Sequence, residues 1–111
     1  MNIEKFETGL VFIVTVGLFD QKSKKQEIST EDALKKVTQY VISHCGGGTI
    51  TVGNGVYTHE NGDIVVEPSI IIKIVGAKTE NVGKLVKDLQ VFLNQESILV
   101  EVEEKKYSFV E

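Results

Sequence analysis

Two histidines, one cysteine and a scatter of carboxylates are the residues of this sequence that could do chemistry, and their spacing limits which chemistry. His44 and Cys45 are adjacent, but neighbours on a helix point about 100° apart, so a thiol–imidazole nucleophile is not written there. Cys45 reads instead as a small apolar residue at a helix end. His59, Glu60 and Asp63 flank a turn, yet a metal needs three convergent ligands and these would converge only by coincidence. Glu103 and Glu104 form a carboxylate pair in a charged, exposed segment. Gly76-Ala77-Lys78-Thr79 offers an anion a helix N-terminus but lacks the glycine loop that precedes it in a Walker motif. No catalytic constellation stands out, and the expectation is a non-catalytic protein with no metal and no cofactor.

Composition narrows the partners. The chain has 111 residues, 41% apolar and 25% charged, as in one soluble globular domain spanning residues 1–111. No apolar run approaches the roughly 18 residues of a membrane span. The opening MNIEKFE lacks the basic-then-apolar order of a signal peptide, so no membrane partner and a cytoplasmic location are expected. Net charge is −4, and all twelve basic residues are lysines. Arginine is the preferred reader of phosphates and guanine edges, so an acidic chain without it is a poor duplex nucleic-acid binder. Its acidity suits a basic surface on another protein.

The elements that must position any site follow from periodicity. Residues 9–19, GLVFIVTVGLF, form a β-branched run with the pattern of a central strand. The polar stretch DQKSKKQEI follows, long for a strand-to-helix connection and carrying Lys22, Lys24 and Lys25. Ser29 and Thr30 before Glu31 and Asp32 write a helix start, and Gly46 supplies its left-handed stop after Cys45. The glycines of HCGGGTITVGNG therefore follow a helix and open a strand, the reverse of a phosphate loop. Thr49–His59 is a second strand in which Gly53 and Gly55 mark a bulge or a close backbone approach.

Asn61-Gly62 signals a hairpin into a third strand, Ile64–Val75, where Pro68 marks an edge, a bulge or a local crossing. Thr79–Asn94 carries the apolar stripe of a second helix. Ile98 to Glu103 alternates as a fourth strand, Lys105 and Lys106 interrupt it, and Tyr107 and Phe109 suggest a short fifth. The order is β-α-β-β-α-β, an α+β ferredoxin-like fold with two helices on one face of an antiparallel sheet. Leu18, Tyr57 and the isoleucines of the third strand cannot all face the helices, which predicts a homo-oligomer, a dimer or larger, covering the other face.

This topology gathers the lysine loop, the turn after His59 and the segment Asn94 to Ser97 at one end of the sheet. Tyr57 and His59 lie on the strand that leads there. The candidate site is expected at that end, away from Gly46, Gly47 and Gly48.

A pattern spread through small bacterial and phage proteins covers most of the chain: Gly48-Thr49, Gly55 with Tyr57, Glu67-Pro68-Ser69, and Gln95-Glu96-Ser97-Ile98. One branch is a bacterial domain family of unknown function with tryptophan where Tyr57 stands. The pattern also resembles the phage Thoeris anti-defence sponges, which sequester a cyclic ADP-ribose immune signal without cleaving it. The resemblance implies a counter-defence protein in the cytoplasm of an infected or lysogenic host. Its ligand would be held by Glu67, Ser69, Gln95, Glu96 and Ser97, with Tyr57 stacking on a base and Lys24, Lys25 and His59 nearby. Gln95 and Ser97 can read hydroxyls or a base edge, whereas Glu67 and Glu96 would repel a pyrophosphate. The same segments also have a purely structural reading, as a bulge and a helix exit. The competing function is an anti-CRISPR or other protein-interaction inhibitor acting through the acidic surface.

Overall fold

The computed structural model describes residues 5–111; the first four residues of MNIEKFE lie outside the described residues. Its order is β1 (Glu7–Gly17), α1 (Thr30–Cys45), β2 (Thr49–Thr58), β3 (Ile64–Val75), α2 (Thr79–Phe92) and β4 (Leu99–Tyr107). The four strands form one sheet in the order β2-β3-β1-β4, with every neighbouring pair antiparallel. This is the βαββαβ, ferredoxin-like arrangement that the periodicities predict.

Alternation sorts the two central strands. Val14 and Val16 of β1 and Ile70, Ile72 and Ile74 of β3 are fully buried against Val37, Leu85 and Leu89 of the helices. The signals that bound α1 act as written: Ser29 Oγ accepts the Asp32 N–H at 3.1 Å, and Gly46 at φ +80° donates to the Ile42 carbonyl. Leu18 belongs to this core with Ile70, Ile72 and Ile74, so of the set that cannot all face the helices it is Tyr57 and Ile71 that lie on the other face. What that face carries includes Ile13, Thr15, Ile71, Lys73 and the exposed Leu99.

Three further expectations change. First, β4 runs unbroken through Lys105 and Lys106, which pair with Gly9 and Thr8, and no separate fifth strand forms at Tyr107 and Phe109. An edge strand with solvent beside it accommodates lysines at no desolvation cost, so they do not end it. Second, β2 has no bulge: Gly53 pairs with Ser69 and Gly55 with Glu67, one to one. Close approach is the alternative realised, since a Cβ on Gly55 would lie 3.2 Å from Ser69 Oγ. Third, α2 stops at Phe92, two residues early, because Asn94 turns the chain with φ +47°.

Pro68 sits where β1 leaves the sheet. The β1–β3 pairing ends at Gly17 and Ser69, and the Pro68 carbonyl accepts the Leu18 N–H at 2.9 Å just beyond. The N–H that proline lacks would point to that same side, where no further ladder bond is required. The position is locally an edge within an otherwise interior strand.

Candidate ligand-binding cleft

Where β1 runs out, its departure opens a cleft of about 260 Å3 between the β2–β3 hairpin, the 18–29 loop and the exit of α2. The floor is made by Gly17 and Glu67. Both lie on the sheet face away from the helices, and the Glu67 carboxylate lies across Gly17. A Cβ placed on residue 17 would come within 2.3 Å of Glu67 Oε2 and 2.6 Å of Oε1. Only glycine leaves room for the carboxylate there.

Two distant motif residues converge on one backbone unit, Phe19. Its N–H donates to Glu67 Oε2 at 2.7 Å, and its carbonyl accepts from Gln95 Nε2, also at 2.7 Å. Gln95 is buried and its amide also donates to the Leu93 carbonyl at 3.2 Å. A buried amide whose donors are used on backbone carbonyls is a brace. Gln95 therefore positions the loop, and Glu67 both anchors it and keeps a carboxylate in the cleft.

Asp20 knots the loop together. Its Oδ1 accepts the backbone N–H of Lys22 at 2.8 Å and of Ser23 at 3.0 Å, and its Oδ2 accepts from Asn94 Nδ2 at 2.8 Å. The Ser23 N–H and then the Asn94 amide favour the charged form and hold the carboxyl below its ordinary 3.8. Because the folded value is the lower one, the loop's stabilisation is present above pH 3.8 and lost as pH falls through the folded value. The amide resonances of Lys22 and Ser23 should therefore titrate with a midpoint under pH 3.8; a midpoint at or above it would contradict this role.

The walls come from three elements. Tyr57 and Val65, paired across the hairpin, line one side with His59, whose ring meets Tyr57 edge-on at a centroid distance of 6.0 Å. Glu96 and Ser97 line the side formed by the α2 exit, and Lys24 lines the loop side. Seven residues singled out from the sequence thus face one cleft: Lys24, Tyr57, His59, Glu67, Gln95, Glu96 and Ser97. Two do not line it. Ser69 is buried beneath it, its hydroxyl donating to the Glu67 carbonyl at 3.1 Å, and the Lys25 carbonyl accepts the Asp20 N–H at 2.9 Å.

Sequence reasoning missed Gly17, Phe19, Asp20, Gln21 and Val65. Two had a signal: a glycine inside a β-branched run marks a close approach, and an aspartate opening a polar loop marks a side-chain-to-backbone turn. Phe19 and Gln21 act through tertiary contacts that no local pattern encodes, Gln21 by donating its backbone N–H and its side-chain amide to the carbonyl and Oδ1 of Asn94.

The charge of the lining is its main chemical property. Asp20, Glu67 and Glu96 supply three carboxylates against the single ammonium of Lys24. Tyr57, 44% exposed, adds an aromatic face. Such a cleft favours a cationic ligand with a flat, stackable part and disfavours a polyanion. The other reactive groups lie elsewhere. His44 Nε2 is 2.6 Å from Asp88 Oδ2 and ties α1 to α2, while burial pushes the Cys45 thiol up, away from the reactive thiolate.

Comparison with protein-family models finds no match, and neither does comparison with curated proteins. Solved structures do match. A phage SAM lyase in complex with S-methyl-5'-thioadenosine aligns over 100% of this chain and 97% of its own, with TM-score 0.70 and 25% identity. CPII, a nitrogen regulatory PII-like protein from Thiomonas intermedia K12 bound to ADP, AMP and bicarbonate, aligns over 96% and 100% with TM-score 0.55 and 17% identity. CutA from Synechococcus elongatus PCC7942 aligns over 93% and 84% with TM-score 0.61 and 16% identity. The last two likenesses establish the fold alone. None of the three lends support to the Thoeris resemblance.

Proposed function

We propose that the cleft binds S-adenosylmethionine and that the protein cleaves it, acting as a phage or prophage counter-defence protein in the host cytoplasm. The observation that carries this reading is the Glu67 carboxylate laid across Gly17 in a lining where carboxylates outnumber lysines three to one. A sulfonium nucleoside has the matching charge. A pyrophosphate does not: two like charges 4 Å apart cost about 4 kcal/mol at an effective dielectric of 20. The full-length likeness to a phage SAM lyase holding S-methyl-5'-thioadenosine supports the same ligand class.

The ligand brings most of its own chemistry. An oxygen of its α-carboxylate attacks the γ-carbon and forms the C–O bond of a five-membered lactone. The C–S bond breaks, and its electron pair passes to sulfur, which becomes the neutral thioether of S-methyl-5'-thioadenosine. Homoserine lactone is the second product, and no atom is gained or lost. Charge disappears at both reacting centres, so a cleft partly shielded from water favours the transition state over the separated charges. The protein has to fold the flexible arm so that nucleophile, carbon and sulfur align. Tyr57 provides a face for adenine, worth about 1–3 kcal/mol by analogy with base stacking. Glu67 holds the sulfonium side, and Gln95 fixes the loop that walls the cleft by donating to the Phe19 carbonyl. Further copies of the chain covering the open sheet face would complete the assembly.

Charge selectivity tests the binding half of the reading. Calorimetry with S-methyl-5'-thioadenosine and with cyclic ADP-ribose should show the first bound and the second at least about tenfold weaker. Tighter binding of cyclic ADP-ribose would overturn the proposal in favour of a sponge for an anionic signal.

A further inference from the structure

We infer that Lys24 recognises the α-carboxylate of the ligand's amino-acid arm and sets the preference for ligands that carry it; this rests on the S-adenosylmethionine reading above. Three observations point to it. Among the described residues, Lys24 is the one lysine lining the cleft, although Lys22 and Lys25 occupy the same loop. Its backbone stands at φ +63°, a left-handed conformation that few residues other than glycine and asparagine adopt. The loop over-determines that conformation: the Lys24 N–H donates to the Asp20 carbonyl at 2.8 Å, and the Asp20 N–H donates to the Lys25 carbonyl at 2.9 Å. Strain held in place by surrounding bonds is a mark of functional positions, and here its effect is to place one cation on the wall of an acidic cleft.

The charges then match a ligand with two positive centres and one negative. Glu67 and Glu96 suit the sulfonium and the ammonium, and Lys24 alone among the lining residues has a fixed charge that suits the carboxylate. An ammonium on a flexible stem is a point charge, able to engage one carboxylate oxygen while the other attacks. Lys24 is thus a specificity-determining residue of the arm, distinct from the residues that hold the nucleoside.

Equilibrium binding of three uncleavable probes tests the assignment: S-adenosylhomocysteine, its decarboxylated counterpart and S-methyl-5'-thioadenosine. The unmodified protein should prefer S-adenosylhomocysteine over the decarboxylated form by about tenfold, the scale of one hydrogen bond to a charged group. Lys24→Met should reduce that preference to under about twofold and leave S-methyl-5'-thioadenosine affinity unchanged, while Lys24→Arg should retain it. Equal weakening of all three probes by Lys24→Met, or an undiminished preference, would overturn the assignment. An unmodified protein that binds S-methyl-5'-thioadenosine without preferring the carboxylate overturns it too and leaves the nucleoside reading standing. Binding of none of the three overturns both.

Discussion

Gly17→Ala should reduce S-adenosylmethionine cleavage by on the order of 100-fold while leaving the fold intact. The added methyl carbon would fall 2.3 Å from Glu67 Oε2, and the atoms it meets are those of the carboxylate itself. Real Cβ contacts are not that short, so the carboxylate must move by about 1 Å, a displacement that alone accounts for such a loss. Moving it also breaks the 2.7 Å bond from the Phe19 N–H that starts the loop. The backbone at residue 17 is not in the left-handed region, so alanine imposes no conformational strain and reduces unfolded-state entropy. The melting temperature should therefore change by no more than a few degrees, as a stability change of about 1 kcal/mol would give. Steady-state cleavage and thermal unfolding of the same preparation separate the two effects. In a Glu67→Ala background, Gly17→Ala should cost under about threefold more, because its effect passes through that carboxylate. Full additivity of the two changes would contradict this account.

Glu67→Gln should lower kcat/KM by a similar order, about 100-fold, and most of the change should appear in KM. The amide keeps the size of the side chain and can still present an oxygen to the Phe19 N–H, so the loop stays anchored. What it loses is the negative charge near the sulfonium. Because the sulfonium charge falls as the C–S bond breaks, a fixed carboxylate stabilises the bound substrate at least as much as the transition state. Its contribution is to affinity and alignment, which predicts the KM-dominated effect. Measured rates at saturating and sub-saturating substrate distinguish the cases. An unchanged KM with kcat lost would instead make Glu67 a participant in the chemical step.

How far the sequence foretold the site depends on the range of the interactions involved. The boundaries of α1 were legible because their causes are local: Ser29 accepts from a residue three positions on, and Gly46 supplies a left-handed stop. Asn61-Gly62 announced the hairpin for the same reason, with Gly62 at φ +90°. The continuation of β4 through Lys105 and Lys106 was not legible, since charged residues end a buried strand but not an edge strand, and strand order is a tertiary fact. The convergence of the lysine loop, the hairpin and the α2 exit follows from topology once the element order is known. What Glu67 does there is not visible in the segment Glu67-Pro68-Ser69. Its carboxylate reaches across to Gly17 and Phe19, about fifty positions away, and the significance of Gly17 exists only in that contact.

The cleft's net charge is not legible from residue types alone. Lys22, Lys24 and Lys25 share one loop, yet of the three only Lys24 lines the cleft, and Asp20, Glu67 and Glu96 line it as well. The two glutamates that seemed awkward for a pyrophosphate become fitting once the ligand is a cation. The residues that share this concavity, together with the likeness to a phage SAM lyase, are what support the proposed sulfonium nucleoside over an anionic signal.

The most direct test incubates the unmodified protein with excess S-adenosylmethionine and resolves the nucleosides by chromatography after denaturation. The account predicts S-methyl-5'-thioadenosine accumulating in many-fold excess over protein, with homoserine lactone in equal amount. Recovery of S-adenosylmethionine intact, bound in no more than stoichiometric amount or not at all, would contradict it.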